Sequence, residues 1–380
     1  MLRERFPILS TRTYLASHSL GAVPAATREA LDEYYREWAS NGILAWDGAW
    51  WAALEEFSER IERLLGAAVG SVVPFQNATR GMAAVASCLD FSARRNKVVL
   101  TDLEFTTTYP FWRSQESHGA RLVVVPSPDG ISVPVERLVE ALDDETILVL
   151  SSHVYFRSGA VQDLAAVARA AHRVGAYCLG DGYQAAGTLP VNLTELGLDF
   201  YVGGCHKWLC GGPGAGYFYC RPDLIGQLTP RLTGWFGLKS PFEYTPGTHA
   251  GSLHDGIYRF LDGTVNVPGL YAAREGLKVV EEVGLPAIRA ASLALTDEIV
   301  HQAERRGFRV KTPRRHEERG GMVCLDFPDA RAATDELVKL GIVVDWRPDC
   351  GMRVSPHFYN DDTDLARFFA ALDALRQVRA

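Results

Sequence analysis

The chain has 380 residues, 47% of them hydrophobic and 22% charged, and its 39 Lys and Arg against 46 Asp and Glu leave a net charge of −7. That length exceeds what a single core usually supports, so two unequal lobes of one enzyme-sized protein are expected. The acidic balance argues against a nucleic-acid binder, and no apolar run approaches the ~20 residues of a bilayer helix. The start, Met1-Leu2-Arg3-Glu4-Arg5-Phe6-Pro7, lacks the apolar centre of a signal peptide, and the seven Cys contain no Cys-x-x-Cys pair. A cytoplasmic protein without disulfides is expected.

In chain order, residues 1–40, with Pro24 placed to open a helix, are expected to pack on the smaller lobe or on a partner subunit. Leu54, Phe57, Ile61 and Leu64 recur at helical spacing before Gly66. From Ser71 to Gly204, short β-rich runs alternate with amphipathic helices, the pattern of an α/β fold with a mostly parallel sheet flanked by helices. Strands are expected at Val72–Phe75, Lys97–Thr101, Arg121–Val125, Ile147–Ser151, Ala176–Leu179, Phe200–Gly203 and Gly216–Cys220. These runs are apolar almost throughout, as strands covered on both faces require. Asp163 precedes a helix with Leu164, Val167, Ala168 and Ala171 on one face. Helices at Leu270–Val283 and Pro286–Arg305 mark a boundary, giving a large lobe over residues 41–270 and a small α+β C-terminal lobe over 271–380. The small lobe is expected to hold strands at Met322–Phe327, Ile342–Trp346 and Met352–Ser355. A helix from Asp362, with Leu365, Phe368, Phe369 and Leu372 on one face, closes it.

The most informative segment is Asp199-Phe-Tyr-Val-Gly-Gly-Cys-His-Lys207-Trp-Leu-Cys-Gly-Gly-Pro-Gly-Ala-Gly216, a lysine between an apolar strand and a glycine cluster. A confined lysine loses solvation, its pKa falls, and the neutral amine condenses with aldehydes. A surface lysine in a turn fits the same residues. Asp181 follows the strand Ala176–Leu179, and ligands of open parallel sheets bind beyond the carboxyl ends of the strands. A carboxylate there suits a protonated pyridine nitrogen, which makes a pyridoxal ring an electron sink, with Gln184 in reach of the ring's phenolic oxygen. A turn or capping Asp is the commoner role beside Gly. Phe75-Gln-Asn77-Ala78-Thr79-Arg-Gly81 runs from a strand end into a helix, and such a helix start suits a phosphate dianion, or is ordinary capping. The ten His show no His-x-x-x-His pair, and Cys205, His206 and Cys210 lack metal-site spacing, so no metal is expected. Trp46, Trp50 and Trp51 suit either a substrate mouth or packed aromatics.

A cradle, an acid and a lysine in this order resemble the fold-type I pyridoxal-phosphate enzymes of aminotransferase class V, and among them the kynureninases and kynureninase-like hydrolases. Tyr14-Leu-Ala-Ser-His-Ser-Leu-Gly21 is similar to the family's opening Tyr-Leu-x-x-Asn-Ser-Leu-Gly. Ser152-His-Val-Tyr-Phe-Arg-Ser-Gly159 is similar to its Ser-His-Val-Asn-Tyr-Lys/Arg-Ser/Thr-Gly. Gly234-Trp-Phe-Gly237, Gly263-Thr264, Asp345-Trp-Arg-Pro348 and Arg353-Val-Ser-Pro-His-Phe-Tyr-Asn360 follow in the family's order.

The resemblance implies that Lys207 carries the cofactor and shuttles protons, that Asp181 pairs with the pyridinium, and that Phe105 stacks on the ring. It implies that Ala78 and Thr79 hold the phosphate with help from His206, and that Trp235 and Thr264 reach it from the second subunit of a homodimer. Arg353 would fork onto the substrate α-carboxylate, a task lysine performs poorly. His18 and Thr108 stand where the kynureninases carry Asn and Asp, and are the further substrate-site candidates. His206 and Gln184 follow the cysteine desulfurase branch rather than the kynureninases, yet the nearest thiol to Arg353, Cys350, is three residues away and reads as a small half-buried apolar residue. The leading expectation is hydrolytic cleavage of an amino acid's β–γ carbon bond with release of alanine. The alternatives are a class V aminotransferase, a cysteine desulfurase or a C–S lyase on the same cofactor site, and a pyridoxal-phosphate-binding protein without turnover.

Overall fold

The computed structural model describes residues 2–244 and 251–379. Its central element is a seven-stranded sheet of β1 (Val72–Phe75), β2 (Lys97–Thr101), β3 (Arg121–Val125), β4 (Thr146–Ser152), β5 (Tyr177–Asp181), β6 (Phe200–Gly204) and β7 (Gly216–Cys220). The spatial order is β1-β7-β6-β5-β4-β2-β3, and only β7 runs against its neighbours. Residues of β1, β2, β6 and β7 are buried throughout, which is why these strands read as unbroken apolar runs. Strands β4, β5 and β6 extend past the expected ends because the ladder pairs Ser152 with Asp181 and Gly204 with Gly216. Pairing there includes residues that hydrophobicity cannot mark.

A four-stranded antiparallel sheet joins Asp345–Arg347, Gly351–Val354, Val323–Asp326 and Arg309–Val310 in that order. The expected strand Ile342–Trp346 divides, since Ile342–Val343 pairs in parallel with Thr13–Tyr14 while Asp345–Arg347 turns to Gly351–Val354. Two-residue strands carry no readable period, so neither Thr13–Tyr14 nor Arg309–Val310 was expected. Pro24 lies in the approach to the helix Thr27–Asn41 rather than at its start.

The expected division at residue 270 falls inside the helix Val267–Val283. Leu270, Tyr271, Ala273, Leu277 and Val280 of that helix pack into the same apolar cluster as the central sheet. A separate cluster gathers Leu295, Ile299, Leu325, Leu337, Met352, Phe368 and Leu372 around the smaller sheet. The N-terminal residues contribute to both, Leu15 to the second and Ala30 to the first.

Candidate active site

Because β1, β2, β4, β5 and β6 point the same way, the loops leaving them meet at one edge of the sheet. They line a single cavity of about 210 Å³ with Asn77, Ala78 and Thr79 after β1, Phe105 and Thr107 after β2, Ser152 with Val154 and Phe156 from β4, Asp181, Tyr183 and Gln184 from β5, and His206 with Lys207 after β6. This is the position at which open α/β sheets bind ligands. Lys207, Asp181, Gln184, Ala78, Thr79, Phe105 and His206, scattered over 130 residues of chain, are thereby brought to one cavity.

Lys207 is 8% exposed. Its Nζ makes no hydrogen bond or ion pair among the described residues, and lies 5.2 Å from the Phe105 ring centroid and 4.7 Å from that of Tyr183. Burial lowers its pKa to about 8, with Asp181 opposing and Arg353 assisting the fall. Asp181 is also buried; burial raises its pKa, against the Tyr183 N–H, which donates to Oδ1 at 2.9 Å, and the charge of Lys207. On the far side, the helix Ala78–Cys88 opens at the cavity, and Asn77 caps it by accepting from the Arg80 N–H at 3.1 Å. Thr79 Oγ1 stands 3.3 Å from Thr107 Oγ1. The Gln184 amide donates to the His18 carbonyl at 3.0 Å and its oxygen accepts from Trp208 Nε1 at 2.8 Å, which holds the side chain against the cavity wall.

Five expected site residues lie outside this lining. Arg353 Nε and Nη2 donate to the two oxygens of Asp345 at 2.7 and 2.6 Å while Nη1 donates to the Phe156 carbonyl at 2.9 Å. A buried guanidinium requires such a partner. His18 is buried behind this pair, bound through Nε2 to Asp345 at 2.9 Å and through Nδ1 to Ser355. Burial lowers its pKa to about 4, assisted by Arg353 and opposed by Asp345. Thr108 is buried in the first turn of the helix Thr108–Ser114, its hydroxyl unpartnered, and its neighbour Thr107 reaches the cavity instead. Trp235 packs on Phe236, Phe242 and Tyr244, and Thr264 is exposed; neither lines this chain's own cavity. Trp46, Trp50 and Trp51 also stay away from it: Trp46 makes edge contacts with Trp50 and Phe236, and Trp51 with Phe236, Phe242 and Tyr258.

Sequence reasoning passed over Tyr183, Asp345 and Glu104. Their roles come from long-range partners, Ser152 for Glu104, His206 for Tyr183 and Arg353 for Asp345. Glu104, on the loop carrying Phe105, accepts from the Ser152 N–H at 2.8 Å, from Ser152 Oγ at 2.6 Å and from Thr101 Oγ1 at 2.7 Å, tying the ends of β2 and β4. Burial lifts it from 4.5 to about 7; the hydroxyl donors oppose that rise and the charge of Asp181 adds to it. A carboxyl with a higher pKa folded than unfolded stabilises fully below the unfolded value, and that stability is lost as pH rises through the folded one. Between pH 4.5 and 7 the loss reaches about 3 kcal/mol. In Glu104→Gln, Oε1 still accepts from Ser152 and the amide donates to Thr101. Urea midpoints measured from pH 5 to pH 8 should therefore fall more steeply for wild type than for E104Q.

A desolvated amine, a buried carboxylate and a helix start gathered at the carboxyl edge of a parallel sheet suit an enzyme with an aldehyde cofactor. The chain belongs to the aminotransferase class V family, whose model matches residues 13–368. It is a pyridoxal-phosphate-dependent enzyme of fold type I. It is 30% identical to the uncharacterized aminotransferase YcbU of Bacillus subtilis (strain 168), over 96% of this chain and 94% of that protein. It is 31% identical to the kynureninase of Pseudomonas fluorescens, over 93% of this chain and 86% of that enzyme. Among solved structures it resembles a cysteine desulfurase of Thermococcus onnurineus NA1, with a TM-score of 0.86 at 22% identity and coverage of 98% and 97% of the two chains. A variant of C-DES with glycine covalently linked to its PLP cofactor matches with a TM-score of 0.89 at 22% identity, covering 97% and 98%. The residues at the cavity fit that cofactor, since a nearly buried amine without a hydrogen-bond partner and a helix start with free N–H groups are what its aldehyde and phosphate require. Among the described residues no helix is long and apolar enough to cross a membrane.

Proposed function

We propose that the enzyme cleaves the β–γ carbon bond of an amino acid with a carbonyl at Cγ, as a kynureninase does, releasing alanine. The observation that carries this is the composition of the cavity wall. Phe105 and Phe156 meet edge to face at 5.2 Å beside Val154, an apolar wall suited to a flat aromatic side chain, and Lys207 Nζ stands 5.2 Å from the Phe105 ring. Kynureninase relatives 31–32% identical over more than 90% of the chain support the same reading.

When bound, pyridoxal phosphate supplies an aldehyde for the substrate amine and a ring that withdraws electrons from Cα. Lys207, released by the incoming amine and neutral above pH 8, takes the proton from Cα. Asp181 holds a proton at the ring nitrogen, and Phe105 covers one face and excludes water. The N–H groups at Ala78 and Thr79, with His206, bind the phosphate. Arg353, which donates to the Phe156 carbonyl in the cavity wall, would take the substrate α-carboxylate only by exchanging Asp345 for it at the fork. Water adds to the side-chain carbonyl, the β–γ bond breaks, Cβ gains a proton and Cα regains the one held by Lys207, giving one carboxylic acid and one alanine per water consumed.

The active assembly is proposed to be a cytoplasmic homodimer in which Trp235 and Thr264 face the partner's cofactor. Exposed Tyr35, Trp38, Ile43 and Leu44 of the helical N-terminal region support the dimer, and seven free thiols support the reducing compartment. The desulfurase reading draws on His206, Gln184 and the structural neighbours, but Cys350 is packed against Met322 and Cys324 and is poorly placed to act as a mobile nucleophile. The test incubates the holoenzyme with kynurenine and 3-hydroxykynurenine. Equal amounts of alanine and the matching anthranilate are expected. Conversion of the cofactor to its amine form would favour a transaminase, and sulfide from cysteine a desulfurase or C–S lyase.

A further inference from the structure

The phenol of Tyr183 reaches across the cavity floor to His206, its oxygen 2.9 Å from Nδ1 and the two ring centroids 5.0 Å apart. Space for it comes from Gly204, where a Cβ would lie 2.0 Å from the phenol oxygen. Burial raises the Tyr183 pKa well above its ordinary value and lowers that of His206 to about 4, the latter helped by the charge of Lys207, so both groups are neutral near pH 7. A neutral imidazole has one donor and one acceptor nitrogen. Were Nδ1 the donor, the Tyr183 O–H would be left without an acceptor, since His206 is its one hydrogen-bond partner among the described residues. An unmade bond of that kind in a mostly buried place is costly. The phenol therefore donates to Nδ1, and the ring proton sits on Nε2.

We propose that Tyr183 is a positioning residue that locks His206 as the Nε2–H tautomer, so that an N–H donor rather than a lone pair faces the cofactor's phosphate. This rests on the reading that the phosphate sits at the helix start by Ala78 and His206. In the other tautomer a nitrogen lone pair meets an oxyanion, which removes a charge-assisted hydrogen bond and adds a repulsion. The lock concerns the phosphate; the Tyr183 ring that Lys207 Nζ faces at 4.7 Å and the N–H given to Asp181 both remain in Tyr183→Phe.

The test compares equilibrium binding of pyridoxal phosphate and of pyridoxal, which lacks the phosphate, to wild type and to Tyr183→Phe. A loss of about tenfold in pyridoxal phosphate affinity, the size of one such bond, is expected with pyridoxal affinity unchanged. Equal losses for both ligands, or no loss for either, would overturn the proposal. The second readout needs no substitution: in holoprotein labelled with ¹⁵N-histidine, the His206 shifts should report protonation on Nε2, and protonation on Nδ1 would overturn it equally. If wild type binds neither ligand at Lys207, the cofactor-site reading itself has failed, which is a different outcome from equal losses in the variant.

Discussion

Replacing Lys207 by Ala should abolish the covalent adduct trapped by borohydride and slow turnover by at least the 10²–10⁴-fold that a positioned proton carrier supplies. The size follows from the site having no second amine. Lys207 is the lysine that lines the cavity, and the nearest basic rings and forks are already engaged, His206 with Tyr183 and Arg353 with Asp345. Lys207→Arg should fail equally, because guanidinium is not deprotonated in proteins. The same amine predicts a pH dependence. Only the neutral form attacks the aldehyde, and burial sets the midpoint near 8 instead of 10.5. The rate at which cofactor-free protein takes up pyridoxal phosphate should therefore rise with pH, half-maximal near 8. A rate still climbing tenfold per unit beyond pH 9 would show an amine with ordinary solvation.

Arg353→Ala should lower stability by about 3 kcal/mol, the low end of the cost of orphaning one member of a buried ion pair. The side chains of Arg353 and Asp345 are 4% and 17% exposed and bonded through two parallel N–H contacts. The loss is held to the low end because Asp345 keeps Arg347 at 3.1 Å and the Ser19 hydroxyl at 2.6 Å. Removing Asp345 as well should recover part of the loss, since the double variant carries no unpaired charge. Urea midpoints of the two single variants and the double variant, read as a cycle, measure the coupling. Arg353→Lys should keep little of it, because one ammonium cannot serve both oxygens of Asp345 and the Phe156 carbonyl. Strict additivity in the cycle would mean that the pair contributes nothing.

Strands β1, β2, β3 and β7 were readable to the residue, and Lys207, Asp181 and the helix start at Ala78 were readable as chemistry. Each is a local signal: an apolar run bounded by turn residues, or a reactive side chain beside glycines at a strand end. Arg353 was legible only by resemblance, as a fork for the substrate α-carboxylate. Its closure by Asp345, eight residues away across an antiparallel pair, is a register effect that no spacing rule contains. The same holds for Thr107 taking the place expected of Thr108: which of two adjacent threonines faces a cavity depends on the rotation of a short helix.

Read alone, the order of residues determined the class of fold, the tethering amine and the carboxylate that accompanies it, because these depend on hydrophobic period and on side-chain chemistry. Tertiary structure decided the electrostatic state of the site: the desolvation that brings Lys207 near 8, the tautomer that Tyr183 imposes on His206, and the carboxylate that Arg353 grips. The reason is that solvation and hydrogen-bond satisfaction belong to the whole environment of an atom, and that environment is assembled from strands far apart in the chain.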